Sequence, residues 1–456
     1  VNFNRNSFAY LVTCGLLTEI FYLSFVVLQK GRDIPLYMFT YFESFILFFF
    51  AYFLILKWNY DREKNDISNR NSLFTYQRLL RILCFKLDDA NRLKIPFLII
   101  AFGILFRITL LPTLYSTSDD VHRYLWEGKV IVNGHNPFTT PPEDSSLIYL
   151  RDDNYEKVTF KNMAAIYPPI SQIIFAINYL VAGNRIIFLK IIYLIFEFAT
   201  LIFLLKLLLL NGKEPKLILL YAWLPLPIME YFINAHIDTI GITFLVLFLY
   251  YFEKGRFNFS SVLLAFAFLS KLLALLILPL IIKKLGVRKA IVYFAVFVIT
   301  CLIFYVPFVY GNINVLTGLF RYLQHWEFNG SVYNILKALS SRGDIARLIC
   351  SILLAISILL ISVTYRDFLK GVFAVFLCII IFSTTLYPWY LGWIAAANVL
   401  NPFYSVISLF FTINFSNFTP LAEKWQEYPI VWIIEYIPFY GLLLYDLWKR
   451  KLIFKK

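Results

Sequence analysis

Three observations predict an all-α polytopic membrane protein of about 11–13 transmembrane helices. Of the 456 residues 60% are hydrophobic and 19% are Phe, Trp or Tyr, well above the roughly 45–50% apolar content of soluble domains. Apolar runs near the ~20 residues that span a ~30 Å hydrocarbon layer recur from Phe8 almost to the C-terminus. Lys and Arg gather in short blocks between those runs, the distribution that positive-inside retention produces.

The runs fall at 8–29, 34–57, 95–114, 168–182, 185–210, 217–233, 237–252, 259–281, 289–310, 346–364, 370–386, 391–413 and 430–448. The first lacks a basic n-region and a small-residue cleavage site and is followed at once by another, so it reads as a retained helix. Residues 1–57 therefore form an N-terminal hairpin. Segment 58–94, rich in Lys and Arg, is a cytoplasmic basic loop, and 95–456 is the transmembrane core, with 115–167 as its extracytoplasmic loop carrying short amphipathic helices. The other basic blocks, at 211–216, 253–256, 283–289, 365–370 and the C-terminus, all prefer the inside. Thirteen full crossings cannot satisfy them all. The short run after Tyr167-Pro168-Pro169, the polar break at Ser270-Lys271 and the break at Asn401-Pro402 mark broken or re-entrant helices, which are tolerated at membrane depth where they line a functional cavity.

The net charge of +14 is accounted for by these inside blocks, so no nucleic-acid partner is expected. Five cysteines without C-x-x-C pairing indicate neither a zinc site nor a disulfide framework. No phosphate-binding glycine loop, dinucleotide fingerprint or H-E-x-x-H is present.

Chemistry concentrates in four stretches. The first is SDDVHRYLWEGKVIVNGHNPF, residues 118–138, where helix parity puts Asp119 and Asp120 outside. A carboxylate there can take a proton from a hydroxyl nucleophile, and the alternative is a solvated helix cap. His122 and Arg123 offer donors to an anionic leaving group, Trp126 a flat face for a sugar ring, and Asn136 sits in an ordered turn. The second stretch, NAHIDTIG at 234–241, brings His236 and Asp238, costly beside a membrane unless they face a cavity or partner. The third, 322–334, contains Trp326 and Asn329. The fourth, 386–393, contains Tyr387, Trp389 and Tyr390, for which an interfacial aromatic belt is the competing explanation. Lys271, alone in an apolar run, either meets a lipid phosphate or snorkels to an interface. Glu19, Glu43, Glu197 and Glu230 lie in apolar runs with no shared spacing or basic partner; they leave open a transporter.

These motifs, together with YPP at 167–169, LSKLLALLILP at 269–279, HWEFNGSVYN at 325–334 and YPWYLGW at 387–393, resemble the GT-C superfamily of polyprenyl-phosphate-sugar glycosyltransferases, in particular glycosyltransferase family 87 and related bacterial mannosyltransferases. Two positions depart from the pattern: H-N-D is H-I-D here, with Ile237, and W-D-G is W-E-G, with Glu127. The resemblance implies inverting transfer of a sugar, most often mannose, from a polyprenyl phosphate to a hydroxyl of a glycan, lipid or protein acceptor. It makes Asp120 the general base with Asp119 in support. His236 and Asp238 then orient a sugar, and Arg123 or Lys271 meets the phosphate, while Tyr167 and the later aromatic motifs line the site. No cofactor is implied; the acidic cluster would chemically suit a divalent cation, but the resemblance is to metal-independent enzymes. The location implied is a bacterial inner membrane, surrounded by membrane lipids, with the site facing the periplasm. The alternatives are a transporter or flippase of lipid-linked saccharide and a silent glycan-binding subunit.

Overall fold

A computed structural model describes residues 6–57, 78, 80–85, 90–309 and 314–450. Most of the basic segment 58–94 lies outside the described residues. Among those described there is no strand, only isolated bridges joining Phe328 and Asn329 to Thr385, and the chain is an all-α polytopic membrane protein.

The principal helices are α1 (Asn6–Leu28), α2 (Ile34–Leu56), α3 (Ala90–Thr109), α4 (Asp120–Val132), α5 (Pro169–Ala182), α6 (Ile186–Leu210), α7 (Pro225–Phe232), α8 (Asp238–Glu253) and α9 (Phe257–Ser270). They continue with α10 (Leu278–Leu285), α11 (Val287–Val309), α12 (Thr317–His325), α13 (Ser331–Ser340), α14 (Gly343–Thr364), α15 (Phe368–Phe382), α16 (Gly392–Asn398), α17 (Tyr404–Thr412) and α18 (Pro429–Arg450). Six described helices, α1, α2, α6, α11, α14 and α18, are long and apolar enough to cross a membrane by length and composition, and α5, α9 and α15 are shorter apolar helices.

Three of the other apolar runs are broken, and proline and polar residues explain where. The 217–233 run is two short helical pieces parted before Pro225, buried throughout, because proline lacks the N–H that would continue the first piece. The 259–281 run stops at Ser270; Lys271 adopts an extended conformation and a 3-10 turn, Leu272–Ile277, follows. The 391–413 run is split between α16 and α17 at Asn401-Pro402, where Asn398 Oδ1 accepts from the Phe403 N–H at 2.9 Å. The 168–182 run is the short helix α5, started by prolines at its first turn, where the missing donor costs nothing.

Close packing of α4 on α5 fixes the polar loop to the bundle. Gly128 permits it, since a Cβ there would collide with the Phe175 carbonyl. Gly128→Val is therefore expected to force the two helices apart and to lower stability by about 1–3 kcal/mol, the usual cost of overpacking; a thermal unfolding scan of the detergent-solubilised protein checks it. Deeper in the bundle the buried Arg107 of α3 donates to Glu197 of α6 at 2.9 and 3.0 Å, and Tyr221 and Thr239 donate to the same carboxylate at 2.8 and 2.7 Å. The sequence reading left Glu197 without a basic partner. It has one, and every group around it is paired, as a buried ion pair requires.

The N-terminal hairpin is part of this core rather than an appendage. Tyr41 of α2 donates to the Phe410 carbonyl of α17, and Tyr37 donates to Glu230 of α7 at 2.7 Å.

Candidate active site

Asp120 is the first residue of α4, with Asp119 as its N-cap. Two periodicities of that helix sort the opening motif. Asp120, Arg123, Tyr124 and Glu127 recur at i, i+3, i+4 and i+7 and share one face; the first three border a cavity of about 510 Å³. His122 and Trp126 lie on another face. His122 Nδ1 pairs with Asn154 Oδ1 at 2.7 Å, and Trp126 is buried among Val130, Leu147, Leu150, Tyr155 and Val158. The flat face that the sequence offers to a sugar is in the structure covered by the loop's own small core.

The cavity wall is aromatic with a few charged groups: Tyr167, Tyr322, Trp326, Tyr387, Trp389 and Tyr390, with Asp119, Asp120, Arg123, Arg32 and Glu327. Phe328, Tyr387, Trp389 and the imidazole of His236 form a continuous stack, with successive centroid separations of 4.5, 4.4 and 3.6 Å. Arg123 is fully engaged by Glu127 at 2.8 Å and by the carbonyls of Phe160 and Met163, so it braces the 159–163 segment at the cavity edge. Asn136 and Asn329 stand outside the wall. Asn136 donates to the Phe308 carbonyl and accepts from the Phe138 N–H, whereas Asn329, at φ +51°, ties the 327–329 loop to Glu427 and Glu435 near and on α18.

Behind Asp120 the broken helices supply the rest. Asp238 opens α8 and Lys271 closes α9, and their side chains meet at 2.6 Å. Trp393 Nε1 donates to the same Asp238 oxygen at 2.9 Å; Gly241, one turn along α8, leaves the space that its indole occupies. Lys271 also lies over the Tyr390 ring, 3.8 Å from its centroid. It lines a second, apolar cavity of about 200 Å³ with Leu272, Leu273, Phe376, Ile379 and Ile380 among its walls. Tyr167, Tyr322, Trp326 and Tyr390 border both cavities, and a 2.6 Å hydrogen bond between the Tyr322 and Tyr390 hydroxyls stands at the partition.

His236 is fully buried, reached through Ala235 at φ +59°. Its Nδ1 lies 3.8 Å from Asp120 Oδ2 and its Nε2 3.6 Å from Glu230 Oε2. Asn234 begins the same motif and adds a residue to the site that the spacing of charged groups does not single out. Its Oδ1 accepts from the Ser116 and Thr117 N–H groups at 3.0 Å each and its Nδ2 donates to Glu230, so it fixes the strand of chain that delivers Asp119 and Asp120.

Asp120 keeps 38% of its side-chain surface, opening on the cavity. Burial on its other sides, reinforced by repulsion from Asp119 and Asp238 and opposed by Lys271 and Arg123, pushes its carboxyl up to about 7. A carboxylate poised there is suited to general-base work near neutral pH. Among the described residues no group of three or more His, Cys, Asp or Glu side chains is arranged to hold a metal ion.

Comparison with known proteins adds one finding. No curated protein and no solved structure matches the chain. Residues 99–285, which carry Asp119, Asp120, Tyr167, His236, Asp238 and Lys271, match the model of the MptA/B family, described as alpha-(1->6)-mannopyranosyltransferase, N-terminal domain. Over that stretch the chain is similar to these enzymes, and the match supports a glycosyltransferase, consistent with a GT-C-like mannosyltransferase.

Proposed function

We propose that the protein transfers a mannosyl group, with inversion, from a polyprenyl-phosphate donor to a hydroxyl of a glycan-bearing acceptor on the extracytoplasmic face of a bacterial inner membrane. The observation that carries this reading is the junction of two unlike cavities. One is aromatic and polar with Asp120 on its wall, the other is apolar, and the Lys271 ammonium stands beside their shared tyrosines. Aromatic walls with a few placed polar groups suit sugar rings, an apolar groove suits isoprenoid units, and a cation between them suits the phosphate that joins sugar to lipid.

In the reaction the acceptor hydroxyl loses its proton to Asp120 while its oxygen attacks the anomeric carbon. The bond from that carbon to the phosphate oxygen breaks, and its electron pair leaves with the phosphate, whose charge Lys271 neutralises. Fixed charges at the leaving group act without reorganisation at the moment of reaction, and holding both substrates against rigid helix ends removes much of the entropic barrier.

Sidedness is supported by the helix ends. α8 runs from Asp238 at the site to Glu253, next to Lys254 and Arg256, and α9 starts beside that block and returns to the site at Ser270. The site and this basic block are thus at opposite ends of the same helices, as expected when basic blocks are retained inside.

The position of the Asp120 carboxyl sets a pH dependence. Its raised value leaves it half protonated near pH 7, and only the ionised form accepts a proton. The kcat/KM for transfer is therefore expected to fall as pH drops below about 7, by about tenfold per unit well below it. Asp119→Asn removes the largest repelling charge and is expected to move that acid limb to lower pH. Rate–pH profiles from pH 5 to 9 check both, and a profile flat from pH 5 upward contradicts Asp120 as the base.

A further inference from the structure

Resting on the reading of Asp120 as general base, we propose that Glu230, held by Tyr37 of the N-terminal hairpin, acts through His236 to set the protonation of Asp120, so that Asp120, His236 and Glu230 form a hydrogen-bonding relay. His236 is completely buried, and neither ring nitrogen has a hydrogen-bond partner. Buried polar atoms left so are uncommon and need a reason. Here each nitrogen faces a carboxylate just beyond hydrogen-bond reach, 3.8 Å from Asp120 and 3.6 Å from Glu230, and the ring is clamped flat on Trp389 at 14°. Catalytic hydrogen bonds are often this long before substrate tightens the site.

Glu230 is held by donors on both oxygens. Tyr37 donates to Oε1 at 2.7 Å and Asn234 to Oε2 at 3.0 Å. When ionised, Glu230 has only acceptors to offer, which selects the tautomer with the proton on Nε2, pointing at Glu230. Nδ1 then presents a lone pair to Asp120. When Asp120 has taken the acceptor proton, its O–H donates to the Nδ1 lone pair while Nε2–H points at Glu230. On product release that proton leaves Asp120 for water in the cavity. No oxidant, metal or second substrate is required. The other charged and titratable groups facing the relay are Asp119 and Arg123 from α4, Asp238 from α8, Lys271 at the end of α9, and Tyr41 and Tyr231 from α2 and α7. None of them replaces Glu230 at Nε2.

Glu230 and Tyr37 are positioning residues, since neither reaches the cavity wall. In Glu230→Gln the carbonyl keeps the place to which Asn234 Nδ2 donates, so the tautomer is expected to hold; in Glu230→Leu no acceptor remains at Nε2, and the ring turns an Nδ1–H toward the Asp120 carboxylate. The acid limb of kcat is then expected to move to lower pH by about one unit, because a donor to a carboxylate lowers its proton affinity. The plateau is expected to fall at least about tenfold, because Nδ1 no longer accepts the hydrogen bond of protonated Asp120, with the donor KM unchanged. Tyr37→Phe is expected to shift the limb the same way by less. The tautomer is read without substrate from the ring-nitrogen NMR shifts of the full chain in nanodiscs, labelled with 15N-histidine and assigned with His236→Gln. An Nε2–H ring in the wild type that becomes Nδ1–H in Glu230→Leu supports the relay. An unchanged tautomer in Glu230→Leu, or a Glu230→Leu rate scaled down equally at every pH, overturns it. Full transfer by Asp120→Asn would instead remove the general-base reading, and the tautomer experiment would still judge the His236–Glu230 link by itself.

Discussion

Asp120→Asn is expected to reduce transfer by about 10²–10⁴-fold, the usual worth of general-base assistance, while the protein stays folded. The amide is nearly isosteric and no partner is lost, because the Asp120 side chain opens on the cavity and the nearest titratable nitrogen is 3.8 Å away. Removing a carboxyl that burial has pushed up to about 7 is expected to leave stability at neutral pH the same or slightly higher. Donor binding, measured as the shift in melting temperature with added polyprenyl-phosphate mannose, is expected to be unchanged. Wild-type turnover in this variant would end the assignment.

Lys271 carries the second large effect, and the pair it forms with Asp238 makes a clean separation of roles possible. Lys271→Met leaves the Asp238 carboxylate buried with only the Trp393 N–H on one oxygen. Breaking a buried pair by one partner costs about 3–5 kcal/mol, so the melting temperature is expected to fall with activity. Lys271→Met combined with Asp238→Asn keeps an acceptor for Trp393 and removes the orphaned charge, so most of the stability is expected to return. Transfer is not expected to return with it. Without the ammonium, charge developing on the leaving phosphate is unmet, and losses for such groups are about 10²–10³ in kcat. A double variant that is both stable and fully active would show that Lys271 only closes α9.

Much of this was legible in the sequence. Composition and run length gave the membrane class, and Ser270-Lys271, Asn401-Pro402 and the prolines marked where spans break, since each removes or competes for a helical hydrogen bond. Asp119, Asp120, Tyr167, Trp326, Tyr387, Trp389 and Tyr390 border one cavity, and His236, Asp238 and Lys271 stand behind it, although up to 270 residues of chain separate them. The errors are of direction. His122 and Trp126 were grouped with Asp120 by proximity along the chain, but a helix turns about 100° per residue, and their stripe faces the loop's own core. Arg123 is near the site yet saturated by carbonyls that belong to a distant segment, which no spacing reveals. Asn136 and Asn329 secure turns. Arg107 was the readable sign that Glu197 has a partner, since a lone arginine in an apolar run needs an acid. The role of the N-terminal hairpin was not readable, because Tyr37 and Glu230 meet only through tertiary packing.

Transfer of a sugar from a lipid phosphate at the Asp120 cavity can be read in a single assay. Purified wild-type protein in nanodiscs is given polyprenyl-phosphate mannose and an α-mannoside acceptor, and the product is examined for mass, linkage and anomeric configuration. The predicted result is a mannosylated acceptor of inverted configuration, formed by the wild type and not by Asp120→Asn. No product from any lipid-phosphate sugar or acceptor offered, with lipid-linked saccharide instead moved across vesicles, would contradict it.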